Sequence, residues 1–103
     1  MTTDLKERLE YAAKAAGMDC CWEADGDFID QNTKLPWKPD ESDGDSRRLQ
    51  VALRMETHIG TQTAYASVSE RSIRVYIDIT TDPCAAMREA TLAVAEQVGR
   101  SMP

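Results

Sequence analysis

Histidine and aromatic residues are scarce in this sequence. Among 103 residues there are one histidine, two tryptophans, three tyrosines and one phenylalanine. The single histidine, His58, excludes a histidine-rich metal site, and no Gly-x-Ser-x-Gly element accompanies it to indicate a serine nucleophile. The few aromatic residues predict a core built mainly from alanine, valine, isoleucine, leucine and methionine.

The three cysteines do not have the pattern of a disulfide framework or a zinc site. Their number is odd and Cys20 is adjacent to Cys21, which is typical of reduced thiols in a reducing compartment. Neighbouring residues of a strand point to opposite faces, so these two cannot easily bind one ion together with Cys84 and His58. We therefore expect free thiols, no catalytic residues that can be named, and no metal or cofactor.

Positive charge and long apolar runs are also lacking. Twelve lysine and arginine residues against 18 aspartate and glutamate residues give a formal charge of −6. A surplus of basic residues drives nucleic-acid binding, so nucleic acid is not the expected partner. No segment approaches the ~20 apolar residues that span a bilayer, and Met1–Glu10 lacks the pattern of a signal peptide. These features predict a cytoplasmic protein without a membrane partner.

The length and the periodicity of the sequence predict one α+β domain over residues 1–103. Asp25-Gly26 between two short β-like runs indicates a hairpin, and the alternation of Ile73, Val75, Ile77 and Ile79 indicates a strand with one buried face. The order αββαββα favours an α/β sandwich, in which three helices pack on one mostly antiparallel four-stranded sheet. The predicted helices cover 4–16, 43–56 and 83–101, and the predicted strands cover 19–24, 28–31, 62–68 and 72–79.

Helix ends are marked by short polar residues, proline and glycine. Asp82 followed by Pro83 predicts the start of the last helix, and Thr3 predicts the start of the first. Gly17 is expected to end the first helix in the left-handed conformation. Asp43 or Asp45 is expected to cap the second helix.

The acidic run from Asp40 to Asp45 has to be tested as a calcium loop. Placing Gly44 at the turn glycine puts Pro39 at the first ligand position and Gln50 where a bidentate glutamate is needed, so the pattern fails. Carboxylates before a helix stabilise the positive end of its dipole, which explains the run without a ligand. A small metal-dependent enzyme using Asp40, Glu41, Asp43 and Asp45 is kept as an alternative.

Four arginines give a second alternative. A weak nucleic-acid-binding module would use arginines near the second helix and the last strand, with two tyrosines on the sheet for stacking, although no RNA-recognition motif surrounds them. Neutralisation of neighbouring acids and a cross-strand polar network are the ordinary explanations. The residues are Arg47, Arg48, Arg71, Arg74, Tyr65 and Tyr76.

The segment from Trp37 to Leu53 resembles the phage α-β-α sandwich domain family. It has a tryptophan-x-proline element, then Asp43-Gly44-Asp45, then a helix of small and aliphatic residues. The opening helix, Leu9–Gly17, and the closing helix are similar to those of the family as well. The resemblance implies a bacteriophage or prophage protein in the cytoplasm of the host, with no catalytic residue to carry over. It also implies that Trp37 anchors the loop on the core and that Gly44 supplies backbone freedom.

Together these patterns predict a non-enzymatic accessory protein that binds a phage or host protein through an acidic surface. The apolar stripe of the second helix, Leu49–Met55, is either all core or partly the surface of a homodimer. The candidate interaction surface consists of Trp37, Asp40, Glu41, Asp43, Asp45, Arg47 and Arg48.

Overall fold

The computed structural model describes residues 2–80 and 82–102, with side chains from residue 5 onwards. This part of the chain has the predicted α+β class, with three helices, six strands and a short 3-10 turn at Ser69–Arg71. The elements are α1 (Thr2–Ala16), β1 (Cys20–Trp22), β2 (Phe28–Asp30), β3 (Leu35–Pro36), α2 (Asp43–Leu53), β4 (Glu56–Ile59), β5 (Thr63–Val68), β6 (Ile73–Asp78) and α3 (Pro83–Ser101).

The prediction of one four-stranded sheet is wrong. The strands form two separate antiparallel sheets of three strands each, a first sheet in the order β1-β2-β3 and a second sheet in the order β4-β5-β6. Each predicted hairpin gains one strand rather than pairing with the other hairpin. Hairpin signals lie within a few residues of each other, whereas pairing between distant strands leaves no local pattern.

The two added strands, β3 and β4, replace a predicted loop and a predicted helix end. Strand β3 contains Pro36 and lies at the edge of the first sheet, where a missing backbone N–H is tolerated. Helix α2 ends at Leu53 instead of Glu56, because Arg54 adopts the left-handed conformation with φ 54°. The backbone N–H groups of Arg54 and Met55 donate to the carbonyls of Val51 and Gln50, which closes the helix and releases β4.

Helix α3 lies between two apolar clusters. On one side Leu92 and Ala95 pack with α1, α2 and the first sheet, where the buried residues are Leu9, Ala12, Ala13, Phe28, Trp37 and Leu49. On the other side Ala90, Val94 and Val98 pack on Ala66 and Val68 of the second sheet. The small residues on β5 and α3 allow the helix to approach the sheet closely. Both clusters therefore depend on this one helix.

The contact between α1 and α3 is unusually close at Gly99. A Cβ placed there would lie 2.0 Å from the carbonyl oxygen of Tyr11, so only glycine fits. Arg8 joins the same two helices, because its Nε donates to Glu96 over 2.8 Å and its Nη atoms donate to Glu89.

The helix ends agree with the sequence in part. Gly17 has φ 70° and closes α1, and Asp82 caps α3 by accepting from the N–H of Cys84. The cap of α2 is Ser42 rather than Asp43 or Asp45, because its hydroxyl accepts from the N–H of Asp45. Gly44 lies inside the first turn of α2 without a positive φ, so the expected backbone freedom is not used. Helix α1 begins at Thr2, so Thr3 lies inside the helix instead of marking its start as predicted, and its side chain lies outside the described side chains.

Candidate functional site

The second sheet has one face packed on α3 and one face turned outward. Ala64 and Ala66 of β5 are fully buried toward the helix. The alternate residues of β4, β5 and β6 point away from α3, and those of β4 and β6 are exposed. We call this the outer face. It carries Glu56, His58, Tyr65, Ser67, Arg74, Tyr76 and Asp78.

Three rings form a row across the middle of the outer face. His58, Tyr65 and Tyr76 are directly opposite one another in the register of the three strands. The ring centroids are 5.4 Å apart between His58 and Tyr65, and 5.3 Å apart between Tyr65 and Tyr76. Tyr76 is 58% exposed at the edge of the row. Aromatic pairs at these separations stabilise each other, so the row presents a preformed surface.

Arg74 lies over this row from β6. Its guanidinium carbon is 4.7 Å from the centroid of the Tyr65 ring, and its Nη1 donates to the hydroxyl of Tyr76 over 3.3 Å. These contacts hold an exposed guanidinium over an aromatic ring, which is a favourable arrangement for arginine. Beside it, the buried hydroxyl of Ser67 has no hydrogen-bond partner in the described part of the chain.

Two carboxylates of the acidic loop, those of Asp43 and Asp45, have partners within the fold itself. Asp45 accepts from the N–H of Lys38 over 2.9 Å and from Arg48 over 2.8 Å. Arg88 of α3 donates to the Asp43 carboxylate over 2.6 Å and to the Asp40 carbonyl over 3.0 Å. The loop is therefore fastened at both ends of the acidic run. Its charges support the start of α2 and its contact with α3.

The other residues of the predicted interaction surface have very different exposures. Trp37 is only 4% exposed and lies in the first cluster, as the anchoring of the loop predicts. Glu41, Arg47 and Arg48 are exposed, and Asp40 is half-buried. Burial raises the pKa of the Asp40 carboxyl above its usual range. That this set of residues binds a partner stays a prediction.

Metal-binding groups are not assembled in the described residues. No group of three or more histidine, cysteine, aspartate or glutamate side chains there could hold an ion. Cys21 and Cys84 are exposed free thiols, and Cys20 is a half-buried one. Burial raises the pKa of the Cys20 thiol to about 11, with Asp30 and Asp19 adding to the effect.

The four arginines of the nucleic-acid alternative lie on three different elements. Arg47 and Arg48 are on α2, where Arg47 donates to Gln50. Arg71, in the 3-10 turn, donates to the hydroxyl of Ser101 at the end of α3. Only Arg74 lies on the row of rings.

The apolar stripe of α2 is split between core and surface. Leu49 is 1% exposed, and Leu53 and Met55 pack against the core clusters. Val51, in contrast, is 63% exposed. The homodimer surface predicted for this helix thus reduces to one large exposed side chain on α2 itself.

His58 is the member of the row that the sequence does not reveal. Its position after a predicted helix suggests an ordinary exposed residue near a helix end. The alternation Glu56-Thr57-His58-Ile59 is too short to indicate a strand against the helical pattern before it. Tyr65 and Tyr76 are recognisable as sheet residues because period-two patterns flank them.

Comparison of the chain with protein-family models, with curated proteins and with solved structures finds no match.

Among the described residues, no helix is both long and apolar enough to cross a membrane.

Proposed function

We propose that this protein is a non-enzymatic protein-binding module and that it contacts its partner through the outer face. The observation that carries the proposal is the row of His58, Tyr65 and Tyr76 with Arg74 over Tyr65, on the sheet face that points away from α3. Tyrosine and arginine are among the residues that contribute most binding energy in protein interfaces. A rigid aromatic row loses little conformational entropy when a partner covers it.

The acidic loop is less suited to docking than the outer face, because two of its carboxylates already have partners within the chain. Asp43 and Asp45 already have arginine or backbone partners within the chain, so a partner protein would have to replace these contacts. Among the described side chains Arg74 and Tyr76 have no hydrogen-bond partner except each other, and both are exposed. The outer face is therefore the better docking surface of the two.

The biological setting of the proposal comes from the sequence. The segment from Trp37 to Leu53 resembles the phage α-β-α sandwich domain family, which favours an accessory protein of a bacteriophage or prophage. The expected partner is a phage or host protein, and the expected location is the cytoplasm of the host bacterium. The charge of −6 favours a basic partner over an acidic one.

Nucleic acid is the second candidate partner, and Arg74 favours it. Single-stranded bases stack on aromatic side chains and arginine, and the outer face offers both. The net charge of the chain opposes this function, and Arg74 is the one arginine on the row. A mobility-shift series with single-stranded RNA and DNA at low salt tests it. A shift that weakens steeply with salt would favour nucleic acid over protein.

The direct test is a pull-down from bacterial lysate at physiological salt, with captured proteins quantified by mass spectrometry. The wild type is compared with the double variant Arg74→Ser, Tyr76→Ser on the outer face and with Arg48→Gln at the acidic loop. We expect a captured protein whose recovery falls about tenfold or more with the outer-face variant, as for a hot spot. The Arg48→Gln variant is expected to retain it.

Two outcomes would contradict the proposal. Capture that is lost with Arg48→Gln but retained with the outer-face variant would place the interface on the acidic loop. Absence of any captured protein, combined with turnover of a substrate in an activity screen, would show an enzyme. Circular dichroism of each variant checks that the fold is retained.

A further inference from the structure

A second recognition feature lies on the opposite half of the molecule, between α1 and the first sheet. A pocket of about 270 Å³ opens there, lined by leucines of α1 and by three aromatic rings. The Trp22 and Phe28 rings are stacked with centroids 4.4 Å apart, and Phe28 is 6.2 Å from Trp37. Phe28 and Trp37 are buried, and Trp22 is half-buried at the opening. We call this the aromatic pocket.

The rim of the aromatic pocket carries more carboxylates than cations. Asp27, Asp40 and Glu41 line it together with Lys6 and Lys38. Lys38 lies 3.6 Å from Asp27 and neutralises it. Among the described side chains, Asp40 and Glu41 have no lysine or arginine nitrogen within 4.0 Å. The rim thus retains negative charge beside an aromatic wall.

The chain already places a cation of its own on this wall. The Nζ of Lys6 lies 5.1 Å from the centroid of the Trp22 ring. The indole Nε1 donates to Glu10 over 2.8 Å, which fixes the orientation of the ring. An exposed cation–π contact is weak, so a cation with an additional carboxylate partner can displace Lys6. Lys6 thus occupies the aromatic surface on which a cationic ligand would bind.

The size of the pocket limits what that ligand is. Sites for small molecules and cofactors usually enclose roughly 300–1,000 Å³, so about 270 Å³ suits one side chain better than a cofactor. A guanidinium both stacks on an aromatic face and pairs with a carboxylate through a planar fork. We propose that the aromatic pocket binds an arginine side chain of a basic partner protein, stacked on Trp22 and paired with Asp40.

The pocket can be tested by tryptophan fluorescence, because both tryptophans of the chain line it. The probes are a short arginine-containing peptide and the same peptide with citrulline, which has the shape of arginine without its charge. We expect a saturable change with the arginine peptide and affinity about tenfold or more weaker with citrulline, as for a charge-assisted hydrogen bond. Equal affinity for both peptides would overturn the proposal.

Variants of the pocket rim test the pairing of the guanidinium with Asp40. Asp40→Asn is expected to weaken the arginine peptide about tenfold or more. Burial raises the pKa of Asp40, so loss of its charge does not endanger the fold. Glu70→Gln in the 3-10 turn removes the same charge away from the pocket and is expected to change nothing. Equal losses of affinity for the two variants would show that only the net charge of the protein matters, and this would overturn the proposal.

Lys6→Met is expected to act in the other direction. Removal of the internal cation should strengthen binding of the arginine peptide roughly two- to fivefold, since about 0.5–1 kcal/mol of competition is lost. Weaker binding would show that Lys6 does not compete with the peptide for this surface. Free arginine amide that binds as tightly as the peptide would assign the pocket to a free small molecule instead of a protein side chain. The outer-face variant leaves the aromatic pocket intact, so this proposal can fail or succeed separately from the proposed function.

Discussion

Beside the first sheet the Phe28 and Trp37 rings lie inside the molecule, whereas the rings of the second sheet lie on its outer face. Phe28 and Trp37 are 5% and 4% exposed, and they fill the cluster beneath α1 and α2. Tyr76, in the second sheet, is 58% exposed. The core face of that sheet is built from Ala64 and Ala66 instead.

The difference follows from what each sheet packs against. Strands of two or three residues in the first sheet can bury little surface, so large rings are needed to fill the space under the helices. The six-residue strands β5 and β6 pack on α3 mainly through alanine and valine side chains. The Phe28 and Trp37 rings are therefore structural, whereas the rings of the outer face are available for contact.

Truncation of one ring in each sheet should show this contrast most strongly. Phe28→Ala removes a buried ring and is expected to lower the free energy of unfolding by roughly 3–5 kcal/mol. Tyr76→Ala, the matched variant on the outer face, is expected to cost at most about 1 kcal/mol, as for an exposed cross-strand pair. Urea denaturation followed by circular dichroism measures both. Similar losses for the two variants would show that the outer row also belongs to the core.

The helix shared by both sheets can be displaced through Gly99. Gly99→Ala forces a Cβ against the carbonyl oxygen of Tyr11, and we expect a loss at the upper end of roughly 1–3 kcal/mol. Gly44→Ala in α2 is the control, since its Cβ would meet only the flexible side chain of Arg48 at 3.3 Å. That variant should be neutral or up to about 1 kcal/mol more stable in urea. A stable Gly99→Ala variant would mean that α1 and α3 can separate without disturbing either cluster.

The smallest effect is expected for the thiol reactivity of Cys20 in the first sheet. Burial raises the pKa of Cys20 to about 11, so at pH 8 almost none of it is the reactive thiolate. We expect maleimide to label Cys20 at least about tenfold more slowly than the exposed Cys21 and Cys84, as measured by mass spectrometry of peptides. In denaturant the three rates should converge. Fast labelling of Cys20 in the native protein would show that β1 is open.

The sequence predicts the elements of this fold better than their assembly. Asp82-Pro83 marks the start of α3, Gly17 marks the end of α1, and Asp25-Gly26 marks the first hairpin, because each is a local backbone requirement. The partition into two sheets depends on contacts between distant residues and leaves no such mark. The sequence pattern places the end of α2 at Glu56 instead of Leu53, because an arginine, Arg54, occupies a left-handed position at which glycine is usual.

The candidate site shows the same limit. Tyr65 and Tyr76 can be placed on strands from their alternation, but the row needs His58, and β4 is hidden behind a helical pattern. The acidic loop attracts attention in the sequence because its charges are consecutive. Arg88, the partner of Asp43, lies 45 residues beyond it, so only the structure reveals that the charge of Asp43 is already paired.

The contact between α1 and α3 has a consequence for the folding of the nascent chain. Arg8 of α1 contacts Glu96 of α3, 88 residues away, and both apolar clusters include residues of α3. At ~5–20 residues per second, α1 emerges from the ribosome ~5–20 s before α3 follows it. During that interval the nascent chain exposes the apolar stripes of α1 and β5 without their partner. Neither cluster can therefore be completed before α3 has emerged, and holdase chaperones have their best access to this protein during that interval.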